Sequence, residues 1–238
     1  HVRDYLVVPQ RINQANAQAL SRNQDLAADQ MALVARFADQ VAMFPSITSI
    51  SFGNPDGGLA NSGRSLQDDS RYAIMTDGFK AGPFRKMTLK PDMRPGKIIA
   101  EVPDFDARTR PWYIRARQTG GPVYSDIYIV FTGQDMSLAV SQPVYDQNGE
   151  FIGVIAVDLF LSQLSDFLAG LKMKDDWRAF IMERSGELVA CSKGRVVDID
   201  KNQSRGVRIK GINSRDIEIR EAVQAMITQA GSLEQISG

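Results

Sequence analysis

From Pro9 to Phe44 the chain contains no glycine, and the stretch stops at Pro45. Ala27, Met31, Val34, Phe37 or Ala38, Val41 and Phe44 recur three or four residues apart, which is the apolar stripe of a long amphipathic helix. Pro9 suits the first turn of that helix or a kink just inside it. Pro45 ends it by disfavouring helical backbone at Phe44. So long a helix needs an apolar face to lie on. Its own domain supplies one, and the helix of a second copy is a further cover that its length invites.

Beyond Pro45 the apolar residues alternate instead with a period of two. Thr48-Ser49-Ile50-Ser51-Phe52 reads as a strand, Asn54-Pro55-Asp56-Gly57-Gly58 as the turn of a hairpin, and Leu59-Ala60-Asn61 as the returning strand. Tyr72-Ala73-Ile74-Met75 is a further strand. Residues 77–96 are rich in proline and glycine and read as an irregular loop with a short strand near Lys86–Leu89. Ile98-Ile99-Ala100-Glu101-Val102 is another strand, followed by a short helix from Pro111 to about Arg117 that Gly120-Gly121 closes. Strands at 124–131, 136–144 and 151–157 come next, the last two joined by the turn Asp146-Gln147-Asn148-Gly149. A helix over 161–171 turns Leu161, Leu164, Phe167, Leu168 and Leu171 to one side. Antiparallel strands between helices make an α+β chain.

The pattern then begins again. Residues 179–190 repeat the first hairpin: aligning Gly57 with Gly186 also aligns Leu59 with Leu188 and Ala60 with Val189. After it come a polar loop over 193–213 and one helix over 214–230. The second unit thus lacks the later strands of the first and reads as partial.

Composition narrows the function. With 28 basic and 28 acidic residues the net charge is zero, so no overall field for nucleic acid is present, and Arg205, Arg208 and Lys210 read as a solvated loop. Cys191 is the single cysteine and His1 the single histidine, which removes intrachain disulfides, cysteine metal clusters and histidine chemistry; no cofactor and no metal is implied. Asp104, Asp106 and Asp158 are conceivable as paired carboxylates of an enzyme, but no phosphate loop, nucleophile elbow or metal spacing accompanies them. The longest apolar run is too short to cross a bilayer, and no signal-peptide pattern opens the chain; any membrane anchor is expected outside these residues.

Two places stand out as poles of a small-ligand pocket. In Phe105-Asp106-Ala107-Arg108-Thr109-Arg110-Pro111-Trp112-Tyr113, Thr109 or Arg110 takes the helix-cap position and Pro111 the first helical one, so free N–H groups gather beside a guanidinium. That pairing attracts a carboxylate. In Phe151–Leu161 a lone acid, Asp158, interrupts an apolar strand, where its charge is costly unless something positive meets it. A ligand ammonium would. Each residue also has a plainer reading: Arg110 paired with Asp106, Trp112 and Tyr113 as core aromatics, Tyr128 alternating on a strand, Asp158 capping the next helix.

These residues resemble the extracellular double Cache sensor domains of bacterial transmembrane receptors, and in particular an amino-acid-binding subset. Its pattern is a tyrosine, four residues, arginine, one residue, Trp-Tyr, then a later tyrosine and a final aspartate. Here Arg110, Trp112, Tyr113, Tyr128 and Asp158 match, and Phe105 stands where the subset has tyrosine, a change that removes one hydrogen bond worth ~1 kcal/mol. The resemblance implies a ligand carboxylate on the Arg110 and Trp112 side and an amine on the Tyr128 and Asp158 side. It implies a long N-terminal helix packed on tandem PAS-like antiparallel sheets: the helix at 1–45, a membrane-distal module with the pocket at 46–160, a linking helix at 161–175 and a partial membrane-proximal module at 176–238. It implies a non-catalytic sensor at the periplasmic or extracellular side of an inner-membrane protein, possible pairing of two copies through the helix, and a kinase, cyclase or chemotaxis output elsewhere. Other small ligands (an amine, a purine, a carboxylate) and a ligand-free dimerisation module stay open beside it.

Overall fold

The computed structural model of the chain describes residues 2–129, 136–171, 177–200 and 205–235. The ends of the expected strand at 130–131, the junction at 172–176 and part of the expected loop at 201–204 lie outside the described residues.

The N-terminal stretch is helical in three pieces, where the absence of glycine predicts one rod: α1 (Val2–Arg22), α2 (Gln24–Ala28) and α3 (Gln30–Met43). Asn23 and Asp29 make the breaks. Each takes extended backbone and turns its side chain onto the next helix's open amides. Asn23 Oδ1 accepts from Leu26 N–H at 3.0 Å, and Asp29 Oδ1 accepts from Met31 and Ala32, both at 3.0 Å. Pro9 lies inside α1 and not at its first turn. On α3 the buried face is Leu33, Val34, Phe37, Ala38 and Val41, while Met31, expected in the stripe, is exposed. No helix among the described residues is long and apolar enough to cross a membrane.

The chain divides into two compact units, residues 1–128 with 138–159, and residues 129–137 with 160–238. The first is built on an antiparallel sheet of β1 (Ser49–Gly53), β2 (Leu59–Arg64), β3 (Arg71–Thr76), β4 (Gly82–Leu89), β5 (Pro95–Phe105), β6 (Val123–Tyr124), β7 (Tyr128–Ile129), β8 (Met136–Tyr145) and β9 (Phe151–Phe160). Its order is β5-β4-β3-β2-β1-β9-β8-β6, with β7 on β8. The expected irregular loop at 77–96 holds eight residues of regular strand, β4, paired along β3. Its glycines and prolines sit at strand ends and bulges.

Register sorts this sheet into two faces, because successive side chains point to opposite sides. Ile50, Phe52, Ala60, Ala73, Ile155 and Val157 join Leu33, Val34, Phe37 and Val41 of α3 in one apolar core. The other face is ruled in three rows across the strands. One row is Asp158, Ser49, Gly63, Tyr72 and Thr88; the next is Ala156, Ser51, Asn61, Ile74 and Lys86. The third, with Val154, Gly53, Leu59 and Phe84, is apolar. The polar rows are what a plain two-layer domain would not need.

In the second unit α5 (Leu161–Gly170) buries Leu161, Leu164 and Leu168, and its Ser165 Oγ accepts from the Cys191 N–H at 3.3 Å. β10 (Phe180–Met182) pairs with β11 (Leu188–Cys191), and α6 (Ile217–Ala230) starts at the Asp216 cap. The stretch expected to be a polar loop contains β12 (Val197–Asp200) and β13 (Arg205–Arg208), paired with each other. Arg208 is no solvated cation: its guanidinium bonds Glu183 at 2.6 Å and the carbonyls of Leu188 and Glu187.

Candidate functional site

Arg110 is set by backbone before its side chain acts. It is the N-cap of α4 (Pro111–Thr119), with extended backbone, and its carbonyl accepts from the N–H groups of Tyr113 and Ile114, both at 3.0 Å. Pro111 takes the first turn, where a missing N–H costs nothing. Gly120, at φ 72°, closes the helix by giving its N–H to Ala116. The pairing of Arg110 with Asp106 does not occur. Asp106 is taken by Arg108 at 2.6 Å, and that guanidinium holds its carboxyl below the usual value.

α4 lies on the apolar row because Gly53 has no side chain. A Cβ there would stand 2.8 Å from Trp112 Cη2, 2.9 Å from Ala107 Cβ and 3.1 Å from Tyr113 Cδ2. Trp112 and Tyr113 are 4% and 5% exposed. Tyr113 gives its hydroxyl to the Asn54 carbonyl at 3.3 Å and turns its ring edge to Phe151, toward the hairpin end of β1. Burial pushes that hydroxyl up to about 12. Phe105, also buried, meets Phe84 edge-on at 5.0 Å. These three of the sequence-derived residues thus form the packed floor and are not the polar groups.

The other three come together. Asp158, 7% exposed, accepts from Ser49 Oγ at 2.7 Å and from the Tyr128 hydroxyl. The ring of Tyr128 in turn lies beside Arg110, whose guanidinium carbon is 5.5 Å from the ring centroid. Burial pushes the Arg110 guanidinium down, and the charges of Tyr128 and Asp158 oppose that shift, so the two poles feel each other. Asp158 does not cap α5; Phe160 holds that position without a side-chain bond.

Four residues of the same face carry no motif and were not legible as site residues: Ser49, Asn61, Tyr72 and Lys86. Tyr72 crosses bare Gly63, whose Cβ would sit 2.5 Å from the tyrosine hydroxyl and 2.8 Å from Ser49 Cβ. Burial, with the Asp158 charge adding, drives the Tyr72 hydroxyl far above its ordinary value, against a hydrogen bond to Ser49. Asn61 donates to Ser51 Oγ at 2.9 Å, yet among the described residues its buried Oδ1 has no hydrogen-bond partner. A buried acceptor left open costs about 1–3 kcal/mol unless something fills it. Among the described residues no group of three or more His, Cys, Asp or Glu side chains is placed to hold a metal ion.

The N-terminal helices cover one face of this antiparallel sheet and α4 with the polar rows the other; the family profile dCache_1, a Cache domain, matches residues 8–236. The chain belongs to the Cache domain family. Among curated relatives, methyl-accepting chemotaxis protein McpC of Bacillus subtilis is 30% identical over 144 residues, 59% of this Cache chain and 21% of that protein. The chain spans about a fifth of the curated relatives it matches first, 20% and 21% of their lengths. The ligand-binding domain of Campylobacter jejuni chemoreceptor Tlp3, solved with 4-methylisoleucine, superposes with a TM-score of 0.53 at 15% identity, covering 80% of this chain and 64% of that one. That of Pseudomonas fluorescens chemoreceptor CtaA, solved with L-serine, gives 0.52 at 16% identity over 88% and 70%. At such identities the likeness bears on the fold of this Cache domain.

Proposed function

We propose that this Cache domain is the ligand-sensing segment of a bacterial transmembrane receptor and that it binds an amino-acid-like zwitterion on the polar face of its first sheet. The observation that carries this is Tyr128: its hydroxyl donates to Asp158 while its ring lies beside Arg110. One side chain therefore touches both a cation and an anion. The ligand carboxylate goes to Arg110, where the start of α4 adds its dipole. The ligand ammonium goes to Asp158, which among the described residues accepts from the hydroxyls of Ser49 and Tyr128. Trp112, Tyr113 and Phe105 form the apolar floor, and Asn61 Oδ1 offers a further acceptor. Two neighbours of the same fold were solved with amino acids, which supports the ligand class.

The receptor places this segment on the periplasmic or extracellular side, with its anchor and output outside residues 1–238, and two copies pair through the N-terminal helices. Binding shifts signalling by differential affinity for two arrangements of the domain, and the ligand leaves chemically unchanged. Thermal shift across amino acids, amines, purines and carboxylates tests the reading. A ligand at about 100 times its Kd stabilises by about 2.7 kcal/mol. Only amino acids should raise Tm, and Arg110→Ala should remove that rise while the unliganded Tm holds. A purine response, a rise that survives Arg110→Ala, or turnover of the ligand would each defeat it.

A further inference from the structure

We propose that Lys86 reads the ligand's side chain and that the ligand is an acidic amino acid of the aspartate or glutamate class. This rests on the zwitterion reading above and deepens it.

Lys86 stands in the second polar row, on the face that carries Asp158. Its ammonium lies 4.0 Å from the centroid of the Tyr72 ring. That ring crosses Gly63 to reach Ser49, and Ser49 donates to Asp158, so only two side chains separate the amine pole from Lys86. Lys86 is half-buried, and burial pushes its ammonium down with no carboxylate opposing the shift. Across the sheet its partners are Ile74 and Ala100. Its neighbour Arg85, by contrast, is paired with both Asp77 and Glu101 on the opposite face.

A ring face stabilises a cation but does not neutralise it. Among the described residues nothing anionic meets Lys86. A neutral ligand side chain would cover this ammonium and leave it worse solvated; a carboxylate would complete it with a charge-assisted hydrogen bond. The Oδ1 of Asn61, in the same row, is a buried acceptor with no hydrogen-bond partner among the described residues.

Calorimetric titration of L-aspartate, L-glutamate, L-asparagine and L-glutamine into the wild-type chain and Lys86→Met tests it. In wild type at least one acid should bind roughly tenfold or more tighter than its own amide. Lys86→Met should erase that preference by weakening the acid while the amide binds at least as tightly as to wild type, which also reports an intact fold. Lys86→Glu should turn the preference toward a basic amino acid. Equal binding of acid and amide in wild type overturns the inference, as does an acid preference that survives Lys86→Met. In both cases amino-acid binding itself still stands. Failure of every amino acid to bind would overturn both.

Discussion

Asp158→Asn separates charge from shape. The amide keeps the volume of the carboxylate and one acceptor oxygen, so Ser49 or Tyr128, its donors among the described residues, loses its partner at a cost of about 1 kcal/mol. Relief from burying a charge offsets part of that, because Asp158 is only 7% exposed. The unliganded Tm should therefore move by no more than roughly 2–4 °C. Binding is different. Removing one member of a buried hydrogen-bonded charge pair costs roughly 2–5 kcal/mol, or about 30-fold to several thousand-fold in affinity. Calorimetric titration with the amino acid that gives the largest thermal shift measures the second number, and scanning calorimetry of the free chain the first. A variant that binds within threefold of wild type would show that no ammonium sits at Asp158. A fall in Tm beyond about 10 °C would show that the carboxylate serves the fold instead.

Gly63→Ala puts a methyl 2.5 Å from the tip of Tyr72, overpacking that should cost roughly 1–3 kcal/mol; an unchanged Tm would mean that the ring does not lie there. Arg108→Ala should return the depressed Asp106 pKa toward its ordinary value. Because a depressed carboxylate pKa stabilises above the unfolded value and is lost as pH falls through the folded one, the variant's acid unfolding should shift upward in pH. Carboxyl NMR titration reads the pKa directly, and an ordinary wild-type value contradicts the Arg108 contact. Asp29→Ala removes the two capping hydrogen bonds at the start of α3, costing about 1 kcal/mol, and should speed hydrogen exchange at Met31 and Ala32; unchanged exchange there would deny the break between α2 and α3 its stated cause.

The parts of the fold that were legible are those written in local periodicity. β1 and β2 around the Asn54–Gly58 turn, α4 between Pro111 and Gly120, and the long strands β8 and β9 all arise from neighbours in sequence. The breaks at Asn23 and Asp29 escaped because a cap is one side chain's hydrogen bond, and an apolar stripe continues across it. β4 escaped for the opposite reason: its glycines and prolines read as punctuation, yet they sit at the strand's ends while its middle pairs along β3.

Of the site, Arg110, Tyr128 and Asp158 could be named from a motif, and the structure gathers them. Phe105, Trp112 and Tyr113 belong to the same motif but are buried in the apolar cluster, since nothing in spacing tells a ring that meets a ligand from one that packs in a core. Ser49, Asn61, Tyr72 and Lys86 lie on four different strands, and only register brings them onto one face.

The most direct test uses three ligands that differ in one pole each: the best-binding amino acid, the acid that lacks its amine, and the amine that lacks its α-carboxylate. Titrated into the wild-type chain, the intact zwitterion should bind at least tenfold tighter than either, with Asp158→Asn flattening only the difference made by the amine and Arg110→Ala only that made by the carboxylate. If the acid or the amine binds as tightly as the zwitterion, Arg110 and Asp158 are not the two poles of one site.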